Sequence, residues 1–143
     1  MNRFVVDASV AAKWFLPARG EPLVNEALEL LSQYVADEVQ FLVPDLLWAE
    51  LGNLLWKAAL QKRCSVASAE AAISTARQYK IPTVGTESLI ERAFAIAATF
   101  DRTVYDSIYA ALAVEAKTHL VTADEKLAAA LAAHMPVKWL GSL

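Results

Sequence analysis

Four acidic residues stand where a carboxylate can do more than face water: Asp7, Glu50, Asp106 and Asp124. Asp7 directly follows the short apolar, β-prone run Phe4-Val5-Val6, and Asp124 comes three residues after Val121 of the run His119-Leu120-Val121. Both therefore fall just beyond the carboxyl ends of strands, where open α/β sheets bind ligands. Ser9 and Thr122 place hydroxyls at the same two strand ends. Glu50 lies on a long helical stretch. At ~100° per residue it falls between Leu46 and Leu54 and beside Leu47, at the edge of the apolar face. An ionised carboxylate there is costly unless something pairs with it, and no Lys or Arg stands at 46, 47, 53 or 54. Asp106 is in the first turn of its helix, on the flank of a face made by Ile108, Tyr109, Leu112 and Ala113.

Brought together, these acids repel. At an effective dielectric near 20, two unit charges ~4 Å apart cost about 4 kcal/mol. An all-oxygen cluster of this kind suits a hard divalent cation, Mg²⁺ or Mn²⁺. Zinc prefers His or Cys, and the chain offers only His119, His134 and the single Cys64. Each aspartate also has a plainer role open to it. Asp is favoured at helix N-termini, Asp7 can cap the helix after it, and Thr103-x-x-Asp106 resembles a capping box. Ser9 and Thr122 are cap residues by type as well. Glu50 has no such role, and the combined placement of the four points to metal. Asp45 and Asp101 read as ordinary helix-start or loop acids.

The elements that position these residues alternate between strand and helix. Phe4–Val6 is a strand, and a helix runs from Ala8 to Leu16 and stops at Pro17. Glu21–Tyr34 is a second helix, with Leu23, Ala27, Leu30 and Leu31 on one face. Phe41–Val43 is a strand closed by Pro44, and Asp45–Lys62 is a long helix. Ser65 caps a helix to about Tyr79, and Ile81–Gly85 is a short connection with strand character. Thr86 opens a helix to Thr99, and Thr103 opens another through Ala116. His119–Val121 is a strand. Thr122-x-x-Glu125 then fits a capping box for a short Ala/Leu helix, and Val137–Trp139 is a last strand. This order predicts a small, mostly parallel sheet covered by helices on both faces. The 143 residues suit a single domain, 1–143, with one core.

Composition narrows the class. The chain is 57% hydrophobic, which points to helix-rich structure and to surface meant for a partner. No apolar run approaches the ~20 residues of a membrane span, and the start enters a strand with no signal-peptide pattern, so the expected location is cytoplasmic. A net charge of −3 argues against a protein that coats nucleic acid, while leaving room for an enzyme that reaches phosphate through metal. Lys13, Lys57, Lys62 and Arg63 are the candidates to contact such a substrate, against the alternative of solvated helix surface. Trp14, Trp48 and Trp56 can stack bases, but in so apolar a chain they also suit core or interface.

The segments Val5-Val6-Asp7-Ala8-Ser9-Val10, Pro44-x₅-Glu50, Tyr105-Asp106-Ser107-x-Tyr109-Ala110-Ala111-Leu112-Ala113 and Thr122-Ala123-Asp124-x-x-Leu127 resemble PIN-domain ribonucleases of the VapC toxin type. The order and spacing of these motifs extend over nearly the whole chain. The resemblance implies a parallel sheet, a divalent-metal site, endoribonuclease activity, a homodimer and a cognate VapB-type antitoxin. It matches Asp7, Glu50, Asp106 and Asp124 to the family's four acids, and Ser9 and Thr122 to hydroxyl residues beside the first and fourth. Asp7 and Asp106 are then expected to bind the main ion directly, with Glu50 and Asp124 completing the site directly or through water. In-line attack would leave 5′-phosphate and 3′-hydroxyl ends. The helices Glu21–Tyr34 and Asp45–Lys62 are the candidates for an antitoxin groove.

Two other classes compete. A receiver-type signalling domain also binds Mg²⁺ but wants adjacent acids after its first strand, and here Asp7 is followed by Ala8; an Asp-x-Asp phosphatase fails because position 9 is serine. A non-catalytic PIN-like scaffold would typically have lost some of the acids, whereas all four are present.

Overall fold

The β-branched run that ends at Val6 becomes the centre of the molecule. A computed structural model describes residues 2–143. Its strands are β1 (Asn2–Val6), β2 (Val39–Pro44), β3 (Thr83–Val84), β4 (His119–Thr122) and β5 (Val137–Trp139). They form one five-stranded sheet in the order β3-β2-β1-β4-β5, and every pairing is parallel. Val5, Val6, Val43, Leu120 and Val121 have no exposed surface. A parallel sheet covered on both faces requires such continuous apolar strands.

The helices are α1 (Ala8–Lys13), α2 (Val24–Val35), α3 (Leu46–Leu60), α4 (Val66–Gln78), α5 (Ile90–Phe100), α6 (Val104–Glu115) and α7 (Glu125–Leu131). The expected α/β architecture is observed, including strand structure within 81–85. Among the described residues no helix is long and apolar enough to cross a membrane. The chain runs outward from β1 to β2 and β3, then returns to lay β4 on the other side of β1. The point between β1 and β4 is therefore the topological switch point of the sheet, where ligands bind.

Several boundaries differ from expectation for local reasons. α1 ends at Lys13 rather than Leu16; Trp14 is buried, with its indole N–H donating to the Ala27 carbonyl at 3.1 Å. α2 begins at Val24 rather than Glu21. Proline disfavours helical backbone in the residue before it, and Leu23 is left-handed at φ 60°. Glu21 is thereby kept out of the helix. The helix expected from Thr86 starts as a 3₁₀ turn over Thr86–Leu89 before α5. Asp45 anchors that turn, accepting from the Thr86 N–H at 2.9 Å and from the Thr86 hydroxyl. Thr122 does not cap α7: it ends β4, and Asp124 is the N-cap, accepting from the Leu127 N–H.

Trp14 belongs to the core and not to a base-stacking surface. Its ring stacks on Phe41 at 5.7 Å, and Phe41 stacks on Tyr34 at 4.5 Å. Trp48 is partly buried against the core, and Trp56 is half exposed. Phe41 thus links α1, α2 and β2. Truncation of a buried aromatic typically costs about 3–5 kcal/mol. Phe41→Ala is expected to lose stability in that range in urea unfolding, and a loss below about 1 kcal/mol would mean that the stack is not part of the core.

Candidate functional site

Each acid owes its position to the start of a helix or to one face of it. Asp7 is extended at the end of β1 and caps α1, its carboxylate accepting from the Val10 N–H at 3.3 Å. Asp124 caps α7 at the end of the neighbouring strand. Asp106 sits in the first turn of α6, where the Thr103 hydroxyl accepts its backbone N–H at 3.0 Å. Glu50 lies in the second turn of α3. All four line one cavity of about 260 Å³, together with Ser9, Asn53, Lys57 and Tyr109. A larger cavity of about 620 Å³, beside Tyr34 and Tyr79, contains a single carboxylate, Asp37. Chemistry rather than size therefore selects the smaller one.

Ser9 ties the two strand ends together. Its hydroxyl donates to Asp7 Oδ1 at 2.5 Å and accepts the Ala123 N–H at 3.0 Å, across 114 residues of chain. The buried Thr122 hydroxyl accepts the Asp124 N–H at 3.1 Å. Both hydroxyls thus fix backbone beside the acids, and Ser9 also holds a carboxylate directly.

Glu50 is not without a partner. The buried Tyr109 hydroxyl donates to Glu50 Oε1 at 2.6 Å. Reading the sequence placed Tyr109 in the apolar face of α6 and missed this role. Burial and the neighbouring Glu50 both raise the Tyr109 hydroxyl pKa, so it remains a donor.

The acids share one electrostatic field. Burial raises the Asp7 carboxyl to about 6, against the opposing hydrogen bonds from Ser9 and the Val10 N–H, and the charge of Asp106 raises it further. Burial also raises Glu50 and Asp106; Glu50 feels Asp106, and Asp106 feels Asp124. No described ion pair includes any of the four. Among the described residues no three His, Cys, Asp or Glu side chains already form a ready-made metal-holding set. Hydrogen bonds instead hold Asp7 to Ser9, Glu50 to Tyr109 and Asp124 to Leu127. The donor set is nevertheless all oxygen, short of positive charge and partly desolvated. These properties fit a hard divalent cation.

Of the four basic candidates, Lys57 reaches this cavity, Lys13 and Arg63 line the adjoining one, and Lys62 lines neither.

The model of the PIN domain family matches residues 4–132. The chain belongs to the PIN domain family. Several solved structures are similar across most of its length. PAE2754 from Pyrobaculum aerophilum is 23% identical with a TM-score of 0.70, over 99% of this chain and 85% of that one. VapC20 from Mycobacterium tuberculosis, described as a sarcin-ricin loop cleaving toxin, is 18% identical with a TM-score of 0.66, over 90% and 95%. VapBC2 from Rickettsia felis, bound to a promoter DNA fragment, is 11% identical with a TM-score of 0.65, over 96% and 98%. No curated protein matches the chain in sequence.

The raised carboxyls determine how metal-free stability depends on pH. Between the unfolded value of 3.8 and the folded value of about 6, Asp7 binds more proton in the native state than in the unfolded chain. Its neutral form supports the fold at the acid end, and that support is lost as pH rises through about 6. The shift corresponds to something on the order of 3 kcal/mol. Asp7→Asn is expected to be more stable than the wild type at neutral pH in EDTA, with the gap closing toward pH about 4 in urea unfolding. A gap that does not change with pH would contradict the assigned environment.

Proposed function

We propose that this PIN domain is a Mg²⁺- or Mn²⁺-dependent endoribonuclease, acting as the toxin of a toxin–antitoxin pair. The observation that carries the reading is the set of four carboxylates on one cavity at the switch point of the sheet, without an ion-pair partner among the described residues. The description of VapC20 as a sarcin-ricin loop cleaving toxin and the VapBC2 complex, both on the same fold, support it.

In this reading Asp7 and Asp106 would hold the ion, and Glu50 and Asp124 would complete the site directly or through water. A bound divalent ion supplies charge neutralisation at the phosphate and lowers the pKa of a bound water. The protein's own contribution is positional. Ser9 keeps Asp7 aimed and joins the β1 and β4 ends, Thr122 sets the turn that presents Asp124, and Tyr109 keeps one Glu50 oxygen engaged. The chain lacks a histidine pair for metal-free acid–base work: His119 opens β4, and His134 lies against Phe100. Hydrolysis by water then gives 5′-phosphate and 3′-hydroxyl ends.

A cytoplasmic homodimer with a VapB-type antitoxin is the proposed assembly. α1 packs against both α2 and α3, and those two helices expose Leu28, Val35, Trp56 and Leu60. Such apolar surface suits an antitoxin segment. Ile90 and Phe94 on α5 are likewise exposed and available to a second copy. The scaffold reading keeps one observation in its favour, namely that the acids are not already drawn into a metal-holding set.

The test is incubation of antitoxin-free protein with single-stranded and transfer RNAs in Mg²⁺, Mn²⁺ or EDTA, beside Asp7→Asn. The expected result is metal-dependent cleavage that falls at least about a hundredfold in the variant, the size of effect that loss of a group stabilising transition-state charge produces. Products ending in 2′,3′-cyclic phosphate would overturn the mechanism. Metal binding without cleavage across the panel would turn the question to a narrow substrate, and neither binding nor cleavage would favour the scaffold.

A further inference from the structure

A second cavity, of about 300 Å³, opens beside the acidic one. Ser9, Leu54, Lys57 and Asp124 line both, so the two adjoin. Two of these four shared residues, Leu54 and Lys57, come from α3. Glu50, Leu54 and Lys57 stand at i, i+4 and i+7, on one face of that helix. At 1.5 Å per residue the Glu50 and Lys57 positions are about 10 Å apart along the axis. One helix face thus presents an acid to the first cavity and a cation at the boundary with the second.

The second cavity brings its cations together through Glu21. Lys13 Nζ donates to Glu21 Oε1 and to the Pro22 carbonyl, both at 2.7 Å, and Arg63 Nη2 donates to Glu21 Oε2 at 2.6 Å. Lys13 is only 6% exposed. A buried ammonium needs such a partner, and the Pro22-imposed end of α2 leaves Glu21 outside the helix to serve as one. The cluster is not saturated. An ammonium carries three donors and a guanidinium five; Lys13 uses two of its donors and Arg63 one on described side-chain and backbone acceptors. Lys57 makes no ion pair among the described residues. Three cations, Lys13, Lys57 and Arg63, therefore face two carboxylates, Glu21 and Asp124, in a chain whose net charge is −3.

A site that cuts a phosphodiester meets a polymer with a charge at every nucleotide. The phosphate next to the scissile one must lie within a nucleotide of the acidic cavity, and the adjoining cationic cavity is the place where a second anion is favoured. Resting on the nuclease reading above, we infer that the cavity walled by Lys13, Glu21, Lys57 and Arg63 is a subsite for the neighbouring RNA phosphate. Lys57 and Arg63 contact that phosphate. Glu21 is a positioning residue that holds Lys13 and Arg63 in place and tempers their charge.

The test is fluorescence anisotropy with short single-stranded RNA in EDTA across a salt series, for wild type, Lys57→Gln, Arg63→Gln and Glu21→Gln. Lys57 is exposed, so its replacement leaves the core untouched. Each cation variant is expected to weaken binding about tenfold at low salt. Each should also flatten the log–log salt slope by about 0.7. Glu21→Gln should melt at lower temperature and yet bind RNA more tightly, because it removes negative charge and keeps an acceptor; a purely structural role for Glu21 predicts weaker binding. Affinity and slope unmoved by both cation variants, or no binding by the wild type at low salt, would overturn the inference. Cleavage measured on the same protein preparations, with Mg²⁺ or Mn²⁺ in place of EDTA, separates the two claims. Cleavage with an unmoved slope retains the nuclease and removes the subsite, and a moved slope without cleavage does the reverse.

Discussion

The parallel pairing of β1 with β4 is the constraint on which the site depends. Its register sets Val6 opposite Val121, so two strand ends more than a hundred residues apart in sequence finish side by side. Asp7 leaves one end and Asp124 follows the other, each as the cap of the next helix. Capping and site-building are therefore the same act at these positions. The cap geometry orients a carboxylate, and the sheet decides what it faces. Ser9 fastens the arrangement, with one hydroxyl engaged by the Asp7 carboxylate on its own side and by the Ala123 N–H on the other.

The cost of that arrangement is electrostatic. A buried Asp7 with its carboxyl raised to about 6, and Glu50 and Asp106 raised in the same direction, make the metal-free fold carry unfavourable charge at neutral pH. Hydrogen bonds from Ser9, Val10 and Tyr109 offset part of it. The rest is the kind of deficit a cation relieves. The apolar strands beneath the site, fully buried at Val5, Val6, Leu120 and Val121, supply the stability against which such local strain can be held.

Much of this was legible in the sequence, and the reasons are specific. Continuous apolar runs ending at Val6 and Val121 identify buried parallel strands, and an acid just past such a run is placed by the strand itself. Helix ends are less legible wherever backbone geometry departs from composition. Leu23 at positive φ after Pro22 shortens α2, and the segment that opens at Thr86, tethered to Asp45, starts as a 3₁₀ turn. Thr122 and Asp124 are both cap-forming types two residues apart, and only the extent of β4 decides between them. The partners of Glu50 and of Arg63 were not legible at all. Tyr109 lies 59 residues from Glu50, and Glu21 lies 42 from Arg63. A tyrosine within an apolar helix face carries no local mark of a polar duty, and the signal available was only that Glu50 lacked a helical partner.

If the four carboxylates act as one cation site, as proposed, Asp106 is the member whose charge is felt by both Asp7 and Glu50. The most direct test is calorimetric titration of Mn²⁺ into the metal-free protein and into Asp106→Asn, at a pH where Asp7 is ionised. Saturable binding by the wild type is expected, with at least about tenfold weaker binding by the variant. Absence of saturable binding by the wild type, or equal binding by both proteins, would mean that the four carboxylates do not form one cation site.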